Sequence, residues 1–228
     1  MARISSSTDV LMTPRRKRTC DRLVDAAFAI FAEQGVHASS VEAVCDRAGF
    51  TRGAFYSNFT TKEELFVALL ERRHSSQLET LAEKVDGVRP RLEALAGRLD
   101  EDALAEMLLD FFAEREDDRE WCLIDHEFAL MSLREPEMAA VFEEHQAAFE
   151  RSLLTIVRRA LELAGRQFVL PDAVVVRLVG ALYQDMLQRA IRAGRTMREQ
   201  PEARATMVRL VLALTQPVPA AATPGTSC

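Results

Sequence analysis

The sequence predicts an all-α protein, and two features carry that expectation. Its 228 residues include only 9 Gly and 8 Pro, while Ala, Leu, Glu and Arg, all good helix formers, abound. Apolar side chains recur at three- and four-residue steps, and no segment alternates with period two or repeats internally. The architecture expected is an N-terminal three-helix helix-turn-helix domain followed by a larger helical domain.

The elements follow in order. Residues 1–14 read as a flexible arm, Ser-rich and without helical periodicity. Thr13-Pro14 supplies a capping hydroxyl and a proline at the first helical position. Leu23, Ala27, Ile30 and Phe31 then form one apolar face, and Gly35 stops the helix. Ser39 to Glu42 reads as a capping box opening a short helix that ends near Gly49, with Val41, Val44 and Cys45 turned inward. Thr51 caps a second short helix, from about Arg52 to Asn58, that sends Phe55 and Phe59 toward the core. Thr61-Lys62-Glu63-Glu64 is another capping box, launching a long helix through Leu65, Leu69 and Leu70.

Beyond Gly87 and Pro90, helices are expected over 91–98, 101–115, 119–133, 136–164, 172–193 and 201–215. Domain limits of 15–76 and 77–215 follow, and residues 216–228, rich in Pro, Ala, Thr and Gly, read as a disordered tail.

Charge and composition exclude several classes. The net charge of −6 argues against indiscriminate coating of nucleic acid or anionic membrane. Its distribution is uneven: residues 1–76 hold 11 Lys+Arg and 9 Asp+Glu, the remainder 18 and 26. A mildly basic module on an acidic body suits local contact with DNA. Cys20, Cys45, Cys122 and Cys228 are widely spaced, as free thiols of a cytoplasmic protein would be. No apolar run is long enough for a membrane span, and no secretory signal, GxSxG, HExxH, phosphate loop or dinucleotide fingerprint occurs. The expectation is therefore a protein that is not an enzyme and carries no cofactor.

The segment 39–59, SSVEAVCDRAGFTRGAFYSNF, has the parts a DNA reader requires. A short helix must present its N-terminal side chains to base edges while a preceding helix braces it. Ser39 and Ser40 are candidates to bond a phosphate. Thr51 and Arg52 begin the second helix, and Arg52 is the candidate for a bidentate bond to guanine. Gly53 and Ala54 are small enough to let the backbone approach a groove, with Ala54 near a thymine methyl. Tyr56 and Lys62 are candidate phosphate clamps, Asn58 a reader of adenine or phosphate, and Ser57 completes the set. The run Arg15-Arg16-Lys17-Arg18 reads either as an arm entering a minor groove or as a solvated charge run.

Residues 15–76 resemble the DNA-binding domain of the tetracycline-repressor (TetR) family. The resemblance lies in Leu23-Val24-Asp25-Ala26-Ala27, Phe31-Ala32-Glu33-Gln34-Gly35, the helix-turn-helix itself, Phe55-Tyr56-Ser57-Asn58-Phe59 and Lys62-Glu63-Glu64-Leu65-Phe66. Asn58 stands where family members often carry His. The body is similar in size and helicity only. The resemblance implies a homodimeric repressor, released from double-stranded operator DNA by a small hydrophobic or amphipathic effector.

The body then receives two expectations. Val175, Leu178, Val179 and Leu182, with Met207, Leu210, Val211 and Leu214, are candidates for a dimer interface built from the last two helices. Met107, Phe111, Trp121, Glu127, Phe128, Met131, Phe149, Tyr183 and Met186 are candidates to surround an effector, although aromatic and Met stripes also serve as plain core. Cys122, Asp125 and His126 fall within one turn, with His145 beyond, a weak pattern for metal or redox sensing beside the organic effector.

Overall fold

A computed structural model describes residues 13–94, 117–196 and 199–218. In chain order the described elements are α1 (Pro14–Gln34), α2 (Val41–Ala48), α3 (Arg52–Tyr56), α4 (Lys62–Ala94), α5 (Asp118–Arg134), α6 (Pro136–Leu163), β1 (Arg166–Phe168), α7 (Asp172–Arg192), α8 (Pro201–Ala213) and β2 (Thr215–Pro217). The fold is all-α, as its composition implies. The expected helices 91–98 (beyond Ala94) and 101–115 lie outside the described residues, as do residues 1–12 of the arm and 219–228 of the tail.

Capping residues set the N-terminal elements. Thr13 accepts the Arg16 N–H at 3.3 Å with Pro14 behind it, so α1 starts where the sequence indicates. Arg15 to Arg18 therefore belong to a helix rather than to an arm. Gly35 closes α1 at φ 79° and donates its N–H to the Phe31 carbonyl at 2.8 Å. The cap of α2 is Ser40, whose hydroxyl accepts the Ala43 N–H at 3.1 Å; Ser39, expected in that place, is buried.

Two elements depart from the sequence reading. Helix α4 runs unbroken past Gly87 and Pro90, although an interior proline removes one helical hydrogen bond and crowds the preceding turn. The second departure is a pair of three-residue strands, β1 and β2, joined antiparallel with Arg166 opposite Pro217 and Phe168 opposite Thr215. Three residues are too few to display a period. Gln216 and Pro217 consequently belong to a strand and not to the tail.

The chain forms two compact units. The first comprises the residues up to Ser75 together with Asp117–Phe142, so it is not confined to 15–76. Its core joins Leu23, Ala27 and Phe31 of α1, Val44 of α2, Phe55, Phe59, and Leu65, Phe66 and Leu69 of α4 to Trp121, Ile124, Phe128 and Met131 of α5. Aromatic edges lock it: Phe31 to Phe66 at 5.6 Å, Phe66 to Phe128 at 5.5 Å and Phe128 to Phe142 at 4.9 Å between centroids. The second unit comprises Ser76–Glu116 and the residues from Glu143 onward. In it Met186, Leu187 and Ala190 of α7 pack on Met207 of α8, and Arg159 of α6 pairs with Asp86 of α4 at 2.7 Å.

Candidate nucleic-acid interface

The turn between α2 and α3 is built by glycine and by a buttressing arginine. Gly49 adopts φ 69°, a left-handed conformation that a side chain would strain, and ends α2. Arg22 of α1 donates to the Ala48 carbonyl at 2.6 Å, and its guanidinium lies 4.7 Å from the centre of the Phe50 ring. Thr51 then caps α3 by accepting the Ala54 N–H at 3.3 Å. Phe55 and Phe59 are buried and anchor α3 to the first unit. The opposite side of this five-residue helix carries Thr51, Arg52, Gly53, Tyr56 and Ser57, all exposed, with Ala54 half-buried.

The chemistry of that exposed side suits a groove. Arg52 pairs with Glu42 of α2 at 2.7 Å, and its guanidinium sits 5.8 Å from the Tyr56 ring centre. Hydrogen bonding to Tyr56, with Glu42 adding to it, holds the Arg52 pKa above its ordinary value. A Cβ placed on Gly53 would meet Thr51 Oγ1 at an ordinary 3.7 Å. The fold thus does not demand glycine there. Ser57 spends its hydroxyl proton on the Ala54 carbonyl at 2.9 Å.

Three residues expected on DNA are engaged within the protein. Ser39 is buried and donates to the Val36 carbonyl at 2.7 Å. Lys62 gives its ammonium protons to the carbonyls of Val36, His37 and Ser39, which corrects its reading as a phosphate clamp: three donors meet three acceptors. Asn58 accepts from Arg16 Nε at 3.1 Å and Cys20 Sγ at 3.3 Å, and donates to the Ala54 carbonyl at 2.7 Å. Its amide ties α3 to the basic start of α1 instead of projecting outward as a base reader. Sequence reasoning missed Glu42 as a partner of Arg52 and Arg22 as a buttress. Both act across a turn, where helical spacing gives no signal.

The candidates for effector and dimer contacts separate. Met107 and Phe111 lie outside the described residues. Trp121, Phe128 and Met131 are core of the first unit: Trp121 stacks at 4.7 Å on Phe28 and donates its indole N–H to Asp117 at 2.8 Å. Their stripe is thus filled by α1 and α4 side chains, correcting the expectation that they surround a ligand. Glu127 lies against Gly35, its carboxylate 3.3 Å from where a Cβ would stand. Phe149, Tyr183 and Met186 belong to the second unit. On α7 and α8, Val175 and Met207 are buried within the chain itself and so are corrected as partner contacts. Leu178 is 48% exposed, and Val179, Leu182, Leu210, Val211 and Leu214 are half-buried.

Titratable groups of α5 do not gather round a metal. Among the described residues no three His, Cys, Asp or Glu side chains form such a group. His126 Nδ1 lies 2.6 Å from the Cys122 carbonyl and 3.8 Å from its thiol. Burial pushes the Asp125 carboxyl up to about 6, opposed by Arg73 and His126. Arg73 itself pairs with Asp118 at 3.4 Å and stacks at 4.7 Å on Trp121. No helix of the described residues is long and apolar enough to cross a membrane.

Comparison with known proteins agrees with this geometry. Residues 23–69 match the model of the bacterial regulatory proteins of the tetR family. The chain is 28% identical over 173 residues to the HTH-type transcriptional activator FasR of Mycolicibacterium smegmatis, covering 75% of this chain and 73% of that protein. It is 39% identical over 64 residues to the HTH-type transcriptional regulator TtgW of Pseudomonas putida, covering 28% of this chain and 48% of that protein. A TetR transcription regulator from Haloarcula marismortui shares the fold, with a TM-score of 0.63 at 15% identity over 88% of this chain and 100% of that one. With helix-turn-helix, family match and regulator relatives in agreement, residues 23–69 carry a DNA-binding domain of the tetR type, in a chain similar to transcriptional regulators.

Proposed function

We propose that this regulator acts as a homodimeric repressor that reads a two-fold operator through α3 and is released by a small organic effector. The observation that carries the reading is the division of α3 itself. Phe55 and Phe59 fix it to the core while Thr51, Arg52, Gly53 and Tyr56 remain on the outside. Arg52 is the base reader, with Thr51 beside it; Ser40 and Tyr56 meet the DNA backbone.

A five-residue helix offers few base contacts, so useful affinity calls for two copies on a symmetric site. The dimer face we assign to α7 is the line Val174, Leu178 and Ala181, exposed side chains at four- and three-residue steps. The half-buried Leu210, Val211 and Leu214 of α8 adjoin this assignment. Effector contacts fall to the second unit, with Phe149 and Tyr183 as the residues we assign. An effector that prefers a body conformation unsuited to DNA need contribute only about 1–3 kcal/mol of coupling to release the operator 5–150-fold. The cytoplasm is the compartment this reading requires.

A footprint on the promoter of its own gene, followed by transcription in vitro from that template, tests the proposal. Protection of a palindrome with reduced transcription is the expected result. Protection with increased transcription would assign the activator role that its relative FasR carries in its name.

A further inference from the structure

We propose that Glu42 is a specificity-determining residue, holding Arg52 so that its charge serves sequence discrimination and not general attraction to phosphate. The inference rests on the assignment of Arg52 as base reader and deepens it.

Glu42 and Arg52 stand on different helices, on either side of the Gly49 turn, and meet at 2.7 Å. Their side chains are 51% and 60% exposed, so neither is placed there by packing. Capping does not require the carboxylate either, since Ser40 already caps α2. The place of Glu42 in the first turn of α2 favours a carboxylate, yet a negative group beside the reading helix opposes approach to a polyanion unless it is paired, as it is here with Arg52.

The geometry states what that action is. The guanidinium is held at one Nη by Glu42, and the Tyr56 ring lies near it at 5.8 Å. A guanidinium has five donors in a planar fork, so bonding to a carboxylate through one Nη leaves donors to address the O6 and N7 of guanine. The paired arginine is electrically neutral as a unit. Without displacing Glu42 it neutralises no phosphate and releases no counterion, so it adds nothing to sequence-independent binding. The pair is exposed and individually weak, and it therefore biases Arg52 without locking it. A second pair in the same unit, Arg47 of α2 with Glu33 of α1 at 2.7 Å, supplies a control of the same charge that does not touch Arg52.

The test uses the full chain and two duplexes: one recovered by the wild-type protein from a randomised library, and a scrambled duplex of the same composition. Affinities are measured over a range of salt for wild type, Glu42→Gln, Glu33→Gln and Arg52→Ala, and for Glu42→Gln in the Arg52→Ala background. Glu42→Gln is expected to bind the scrambled duplex several-fold more tightly, with a salt slope steeper by about 0.9, while the recovered duplex gains less. Discrimination falls accordingly. Glu33→Gln should move both duplexes alike, and the effect of Glu42→Gln on discrimination should vanish once Arg52 is alanine. Equal tightening on both duplexes, or an effect that survives in the Arg52→Ala background, overturns the role given to Glu42. Failure of the wild-type protein to enrich any duplex would instead overturn the reading of α3 as a DNA reader, and this inference with it.

Discussion

Lys62, the first residue of α4, donates to the carbonyl of Ser39 at 2.9 Å, and the same ammonium also bonds the carbonyls of Val36 and His37. One side chain thereby bonds three carbonyls of the turn between α1 and α2, of which that of Val36 also accepts from Ser39. Lys62→Met is expected to destabilise the protein by about 2–3 kcal/mol, the scale of hydrogen bonds from a charged donor. The salt slope of DNA binding should stay as in wild type, because no phosphate contact is lost. Urea unfolding beside a salt titration checks both halves; a flatter slope with unchanged stability would return Lys62 to the DNA.

Arg52→Ala should behave in the opposite way. The side chain is exposed and its ion pair with Glu42 is a surface one, so stability should move by under about 1 kcal/mol. Operator affinity should fall by about 1–3 kcal/mol, with preference relaxed at one base pair per half-site. Binding to a panel of operators substituted one position at a time reads the result directly.

Asn58 links two helices, bonding Arg16 and Cys20 of α1 and the Ala54 carbonyl of α3. Asn58→Ala should cost about 1–2 kcal/mol of stability by leaving those groups unpaired. It should also weaken operator binding, since α3 loses its tie to α1. Hydrogen exchange of the α3 amides, faster in the variant than in wild type, would report the loosening independently of DNA.

On α7, two neighbouring substitutions should separate folding from assembly. Val175 is 1% exposed and Leu178 48%. Val175→Asp buries an unpaired carboxylate and should prevent stable folding. Leu178→Arg should leave the helical circular-dichroism signal intact and yield monomers by analytical ultracentrifugation. A Leu178→Arg protein that still sediments as a dimer would remove this face from the interface.

Asp125 gives the fold a dependence on pH. Its carboxyl keeps a proton up to about pH 6 in the folded chain. In the unfolded chain it releases that proton near about pH 3.9. Between those values the folded state binds more protons, so stability falls as pH rises through the window, and the cost is complete above it. Asp125→Asn should abolish this slope and stabilise the protein at pH 7 by up to about 3 kcal/mol. Denaturation midpoints from pH 4 to 8 would show it.

The helices were legible because each announces itself locally. Thr13-Pro14, Gly35, Gly49 and Thr51 end or begin elements with their own side chains or backbone freedom, and the structure uses all four as such. What the sequence concealed acts across space. The cap of α2 moved from Ser39 to Ser40 because Ser39 is drawn inward to the Val36 carbonyl, a choice set by the turn. Asn58 and Lys62 are polar residues beside α3, and composition cannot distinguish a side chain that meets phosphate from one that braces a loop. Trp121, Phe128 and Met131 form a stripe that reads identically whether it lines a cavity or fills a core; only Phe28 and Phe66 opposite them decide. Strands of three residues left no pattern at all.

The presence of α5 in the core of the first unit has a consequence for how the protein is made. Phe66 and Trp121 belong to one core but are separated by most of α4 and all that follows it before residue 117. On a translating ribosome the N-terminal helices emerge early with part of their apolar surface uncovered. They can complete that core only after the chain through Phe142 has cleared the exit tunnel. A nascent chain halted near residue 76 should therefore be readily cut by protease, and the same helices should gain resistance once α5 is synthesised. For this protein, maturation of the helix-turn-helix part is timed by a segment that stands far downstream of it in the gene.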